Sequence, residues 1–127
     1  MSFWTLVGVT IQDLNCLKAS CKEHEIDYNT NEDKNFKWRG DPVEAVLRDT
    51  KSKSCWFLVR KDGALQITTD NDMTYNKLSG RVGKNGGKVT RDYTREVIKK
   101  GVSRNGGMVN SVEEQADGSV IMKIAAM

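Results

Sequence analysis

Between Ser79 and Arg91 the chain reads SGRVGKNGGKVTR, thirteen residues holding four glycines and four basic side chains. Glycine leaves backbone amides open and permits left-handed φ. Lys or Arg beside such amides is the chemistry that cradles phosphate. A nucleotide-hydrolysing loop of the Walker type needs G-x-x-x-x-G-K-[ST] between a strand and a helix. Here three residues separate Gly83 from Gly87, Val89 stands where the magnesium-binding hydroxyl belongs, and Thr90 comes one position late. The Rossmann fingerprint is absent too, so this is not an NTP-hydrolysing loop.

The same residues suit a shorter clamp. Val82-Gly83-Lys84-Asn85-Gly86-Gly87-Lys88-Val89 is similar to the apolar-G-x-x-G-x-x-apolar loop with which KH domains grip a nucleic-acid backbone between two helices. A basic ridge follows, Lys88, Arg91, Arg95 and Lys99, and would add phosphate contacts. A structural reading stands beside the functional one: the glycines end one helix, turn through positive φ, and lead into a second helix capped by Thr90. The candidate binding residues are Arg81, Gly83, Lys84, Asn85, Gly86, Gly87, Lys88, Arg91, Arg95 and Lys99.

Charge is concentrated at this place. Residues 1–80 carry eleven basic and twelve acidic side chains, residues 81–104 eight and two, and residues 105–127 one and three. The net +3 therefore sits in the glycine loop and the segment after it, an asymmetry that attracts a polyanion or an acidic partner surface.

Other chemistry is poorly supplied. One histidine is present, and no G-x-S-x-G elbow surrounds a serine. Cys21 and His24 share a helix, an awkward way to aim a thiol at a base. Cys16, Cys21 and Cys55 include no C-x-x-C, the ligand count falls short of a structural metal site, and free thiols fit a reducing compartment. Glu113, Glu114 and Asp117 read as a solvated acidic edge, and Trp4, Trp38 and Trp56 as core or sheet-face residues. The expectation is a non-enzyme with no cofactor and no metal.

These residues need elements to hold them. Phe3–Ile11 is rich in aromatic and β-branched side chains and reads as a strand. Thr10 with Asp13 reads as a helix start, after which Ile11, Leu14, Leu17 and Cys21 would form one buried stripe. Residues 29–35 read as a polar loop or weak strand. Phe36–Arg39 and Val43–Asp49 read as strand pieces around the turn Gly40-Asp41-Pro42. Cys55–Arg60 and Ala64–Thr69 flank the hairpin signal Lys61-Asp62-Gly63. Met73–Leu78 suggests a turn of helix. Thr90 to about Arg104 reads as a second long helix, stopped by Gly106 and Gly107, with Tyr93, Val97, Ile98 and Val102 on its apolar half. Val109–Glu114, the turn Asp117-Gly118 and Ser119–Ile124 complete a hairpin or bulged strand. The expectation is one α+β domain over residues 1–127, an antiparallel sheet with two helices on one face. Its nearest named order is the ferredoxin-like β-α-β-β-(β)-α-β.

Across nearly its whole length the chain resembles a small-protein family known as a domain of unknown function, carried by cyanobacteria, algal plastids, other bacteria and phages. The residues that carry this are Met1-Ser2 and the strand ending at Thr10, Ile11-Gln12-Asp13 with Leu17, Arg39-Gly40, and Gly63 before Leu65–Asp70. Val82-Gly83-Lys84-Asn85, Tyr93 and Asp117-Gly118-Ser119 continue the match. The chain departs from the family's pattern at Phe3, where histidine is usual, and at Asn71-Asp72, where a tryptophan pair is usual. The resemblance implies that the glycine-lysine loop belongs to the family's own architecture. It brings no catalytic residues, and the loop's likeness to phage members implies a phage origin.

The expected function is that of a small binding or regulatory protein presenting Lys84, Lys88, Arg91, Arg95 and Lys99 to an acidic surface of a host or viral protein. The alternatives are a nucleic-acid binder using the Gly83–Gly86 clamp and a binder of a small anionic nucleotide. No apolar stretch approaches the ~20 residues that span a bilayer, and the first residues lack the basic n-region of a signal peptide. The expected compartment is cytoplasmic, that of the host if phage-encoded. Pairing of sheet edges between copies is a further expectation.

Overall fold

Alternation and turn chemistry build most of the sheet. In the computed structural model the described residues are 4–72, 74–104, 107–114 and 120–126, and of those beyond 102 only the backbone is described. β1 spans Trp4–Ile11, α1 Leu14–Glu23, β2 Ile26–Thr30, β3 Lys37–Trp38, β4 Asp41–Asp49, β5 Cys55–Lys61 and β6 Ala64–Asp70. Then come α2 (Lys77–Val82), a 3-10 turn (Lys84–Gly86), α3 (Gly87–Arg104), β7 (Gly107–Glu114) and β8 (Val120–Ala126). The hairpin at Lys61-Asp62-Gly63 forms as expected, with φ of +52° at Asp62 and +82° at Gly63. Two successive left-handed residues match the right-handed twist of the strands they join.

The main sheet runs β1-β6-β5-β4-β2, every neighbouring pair antiparallel, with β3 beside β4; β7 and β8 form a sheet of their own. The α+β class is as expected. The strand order differs from the ferredoxin-like one, because β1 and β2 end at opposite edges and the last strands never join the main sheet.

Asp13 corrects the start of α1. Its carboxylate accepts the amide of Cys16 at 3.0 Å and caps the helix, while Thr10 and Ile11 remain in β1. Leu17, Ser20 and Cys21 then form the buried stripe of α1. One face of the sheet, including Ala45, Leu47, Trp56, Leu58 and Ile67, packs with Leu17 and Cys21 of α1, Leu78 and Val82 of α2, and Val89 and Tyr93 of α3. Trp56, Leu17, Leu47, Leu58 and Leu78 are fully buried, each contributing roughly 1.5–3 kcal/mol relative to exposure. Helices on one face are therefore present, three in number rather than two.

The buried side of α3 is narrower than its sequence suggests. Val89 and Tyr93 enter the core, while Val97 and Ile98 stay 36% and 37% exposed. The Tyr93 hydroxyl accepts the amides of Gln12 (3.0 Å) and Asp13 (3.3 Å), tying α3 to the β1–α1 junction. The opposite face of the sheet carries a second aromatic group. Trp4, Trp38, Phe57 and Phe36 stand with ring centroids 4.6 to 5.6 Å apart. The sequence expectations at Met73, Gly106 and the turn Asp117-Gly118 lie outside the described residues.

Candidate functional site

The glycine loop is a tight turn between two helices. Gly83, at φ +89°, ends α2 and donates its amide to Ser79 O at 2.9 Å. Asn85 (φ +57°) and Gly86 (φ +62°) complete the turn, and Gly86 donates to Gly83 O at 3.1 Å. α3 begins at once with Gly87. Thr90 is thus not a cap: its hydroxyl sits inside the helix and donates to the carbonyls of Gly86 (3.1 Å) and Gly87 (3.2 Å).

Two devices hold the turn still. Asn71, in the β6–α2 loop, accepts the Asn85 amide at 2.9 Å and donates to the Asn85 side-chain oxygen at 2.8 Å. Gly86 sits against the Trp56 indole, where a Cβ would come 2.9 Å from Cζ3. Trp56 is fixed in turn, its Nε1 donating to Ser79 Oγ at 3.1 Å while that hydroxyl donates to Asp70 O. Lys84 and Lys88 are exposed on this frame, and neither makes an ion pair with a described residue.

The ridge behind the turn points largely inward. Arg91 donates to Asp92 at 3.1 and 3.3 Å, and Arg95 reaches Asp92 at 2.9 Å and Glu23 at 3.3 Å. His24, at the C-terminus of α1, places Nε2 2.5 Å from the second Asp92 oxygen. Asp92 is buried, and burial alone would raise its pKa. Hydrogen bonds from Arg91 and His24, with the charges of Arg91 and Arg95, outweigh that and hold the carboxyl below its ordinary value. Arg81 pairs with buried Asp49 at 2.9 Å, and Lys99 stands 4.0 Å from Glu96. The structure therefore brings Gly83, Lys84, Asn85, Gly86, Gly87 and Lys88 together at one tip. It ties Arg81, Arg91 and Arg95 into the fold.

Sequence reasoning missed the part played by Asn71 and the pairing of His24 with Asp92. His24 and Asp92 are 68 residues apart in the chain, and an Asp within a basic helical run looks like a solvated charge. The one available signal is that Asp92 falls three residues after buried Val89, on the same helical face. Cys21 and His24, judged from sequence an awkward pair for nucleophilic catalysis, are not placed to act together. Cys21 is fully buried, its thiol pushed up to about 12 by burial, and His24 is committed to Asp92. Among the described residues no group of three or more His, Cys, Asp or Glu is placed to hold a metal ion. Glu113, Glu114 and Asp117 lie outside the residues whose side chains are described.

A groove of about 350 Å³ runs between α1 and α3, lined by Asn15, Cys16, Ala19, Glu96, Lys99 and Lys100. Among the described residues, no helix is long and apolar enough to cross a membrane. No family model, curated protein or solved structure matches the chain.

Proposed function

We propose that this is a non-enzymatic binding protein whose Gly83–Lys88 turn grips the phosphate backbone of a nucleic acid. The observation that carries the reading is the helix–Gly-Lys-Asn-Gly–helix arrangement, held in shape from within and presenting Lys84 and Lys88 outward. A turn already fixed by Asn71 and Trp56 loses little freedom on binding. The 18-residue α3 starts at the turn and sets the positive end of its dipole there. The family resemblance and the phage origin it implies belong to the same proposal. They direct the search to host and viral nucleic acids in a cytoplasm.

One observation favours a second reading, an acidic protein surface. Tyr75, 66% exposed, stands on the same β6–α2 loop as Asn71, and exposed tyrosine is a frequent anchor of protein interfaces.

A salt-series titration with labelled RNA and single-stranded DNA separates the two, with a free nucleotide as a third probe. Two lysines that neutralise two phosphates give a log–log slope of about −1.4 on single strands. The Lys84→Ala, Lys88→Ala variant is expected to lose that slope and most of the affinity. Arg91 is left intact, since its removal would disturb the buried carboxylate. Absence of binding at low salt would sink the nucleic-acid reading and leave the acidic protein.

A further inference from the structure

On the face of the sheet opposite the turn lies a cavity of about 140 Å³. Leu6, Val59 and Thr68 floor it, from neighbouring strands β1, β5 and β6, and the Trp38 ring forms a wall. Arg39, Asp41 and Lys61 stand at its mouth. We propose that this cavity takes a pyrimidine base and that Arg39 and Lys61 hold the phosphate attached to it. The ligand's class rests on the nucleic-acid reading above; its place does not, being on the other side of the sheet.

Volume, ring chemistry and charge agree on this ligand. An apolar cavity of roughly 150 Å³ accommodates benzene, so a cavity of about 140 Å³ has the size of one six-membered ring. Trp38 is the surface such a ring stacks on. The Arg39 guanidinium now lies over that indole, 5.5 Å from its centroid. It is a flat cation in the place a base would take, on an exposed side chain free to swing out to a phosphate. Arg39 and Lys61 against Asp41 leave one net positive charge at the mouth, which matches a single phosphodiester. The Asp41 carboxylate accepts hydrogen bonds only, so it suits the exocyclic amino group of cytosine and disfavours the carbonyl of uracil or thymine.

The same chemistry arrives either as a free nucleotide or as one link of a single strand. Backbone-amide NMR of the full chain, titrated with CMP, UMP and short oligo-dC and oligo-dT, tests it site by site. Shifts are expected at Arg39, Gly40 and Lys61, stronger for the cytosine probes. CMP acting alone identifies the free nucleotide as source; oligo-dC acting where CMP does not identifies the strand. Arg39→Ala with Lys61→Ala is expected to weaken binding about tenfold, equivalent to about 1.4 kcal/mol. Asp41→Asn should abolish the preference for cytosine, and Lys84→Ala with Lys88→Ala should leave the pocket shifts unchanged. No pocket shift with any pyrimidine probe, or affinity untouched by the Arg39 and Lys61 changes, overturns the proposal. Shifts confined to residues 83–88 overturn it while sustaining the turn, and pocket shifts without turn shifts do the reverse.

Discussion

At Gly86 an added Cβ would lie 2.9 Å from Cζ3 and 3.0 Å from Cη2 of Trp56, on backbone at φ +62°. Both terms are unfavourable. A left-handed non-glycine residue costs about 1–2 kcal/mol, and crowding a ring that cannot retreat costs about 1–3 kcal/mol. Trp56 is fully buried and hydrogen-bonded to Ser79, so it has nowhere to go. Gly86→Ala is therefore expected to lower stability by about 2–5 kcal/mol in urea unfolding. Gly87 is its control. It begins α3 with φ −50° and nothing within 4 Å of a Cβ, so Gly87→Ala should be neutral or stabilising by up to about 1 kcal/mol. Equal effects at the two positions would mean that the turn is not seated on Trp56. The two glycines are adjacent and look alike in sequence; the left-handed backbone of Gly86 and the indole behind it tell them apart.

At the level of elements, α1 and α3 are joined by charge as much as by apolar contact. Lys100 meets Asp13 at 2.6 Å at one end of the seam, and Asp92 meets His24, Arg91 and Arg95 at the other. The two helices therefore run antiparallel. Asp13 is pulled down to about 2, first by the Lys100 hydrogen bond and then by the Cys16 amide, and Asp92 is also depressed. A carboxyl depressed by folding contributes stability that is whole above its unfolded pKa of about 3.9. That contribution is lost as pH falls through the folded value. Thermal melts should hold steady from neutral pH to about 5 and then fall steeply toward pH 2. Asp92→Asn should be about 2–4 kcal/mol less stable at pH 7, below the loss for a fully buried pair because Arg91 and Arg95 keep 17% and 21% exposure. Its deficit should shrink in acid, where wild type loses the same charge; a deficit independent of pH would refute the charge account. This seam explains what was legible and what was not. The β5–β6 hairpin could be read because Lys61-Asp62-Gly63 is a local signal, and α1 nearly so because Leu17 and Cys21 keep helical spacing. The spacing of the basic ridge could be read, but not its inward turn onto Asp92 of the same helix. The groups of α1 that complete the cluster, His24 and Glu23, are 68 and 72 residues from their partners in the chain, and no local pattern announces them. The start of α3 was misplaced because a 3-10 turn through Asn85 and Gly86 takes the place of a side-chain cap.

At the scale of the molecule, the sheet order decides which parts depend on which. β1 is separated from β2 by three strands, each antiparallel to its neighbour, so the edge strands run parallel and α1 crosses the sheet to connect them. Such an order was not legible, since each strand's alternation states which face it buries and not which strand it meets. The centre, β4-β5-β6, is held on both sides by ladders and on the helix face by Trp56, Leu58 and Ile67. β7 and β8 pair only with each other and pack chiefly on α3, and a lone two-stranded hairpin is marginal in water. Stability must then be graded. Amide exchange of the full chain should be slowest in β5, earlier in the edge strands β1 and β2, and earliest in β7 and β8. Protection of β7 and β8 equal to that of β5 would refute this grading and require that the hairpin be locked to the main sheet or to a second copy. The grading also bears on the two proposed sites. The Gly83–Lys88 turn leans on Trp56 and Asn71, and the Trp38 cavity on Val59 and Thr68. Both are thus anchored to β5 and β6, in the part of the molecule that opens last, and ligand binding at either should leave hairpin exchange unchanged.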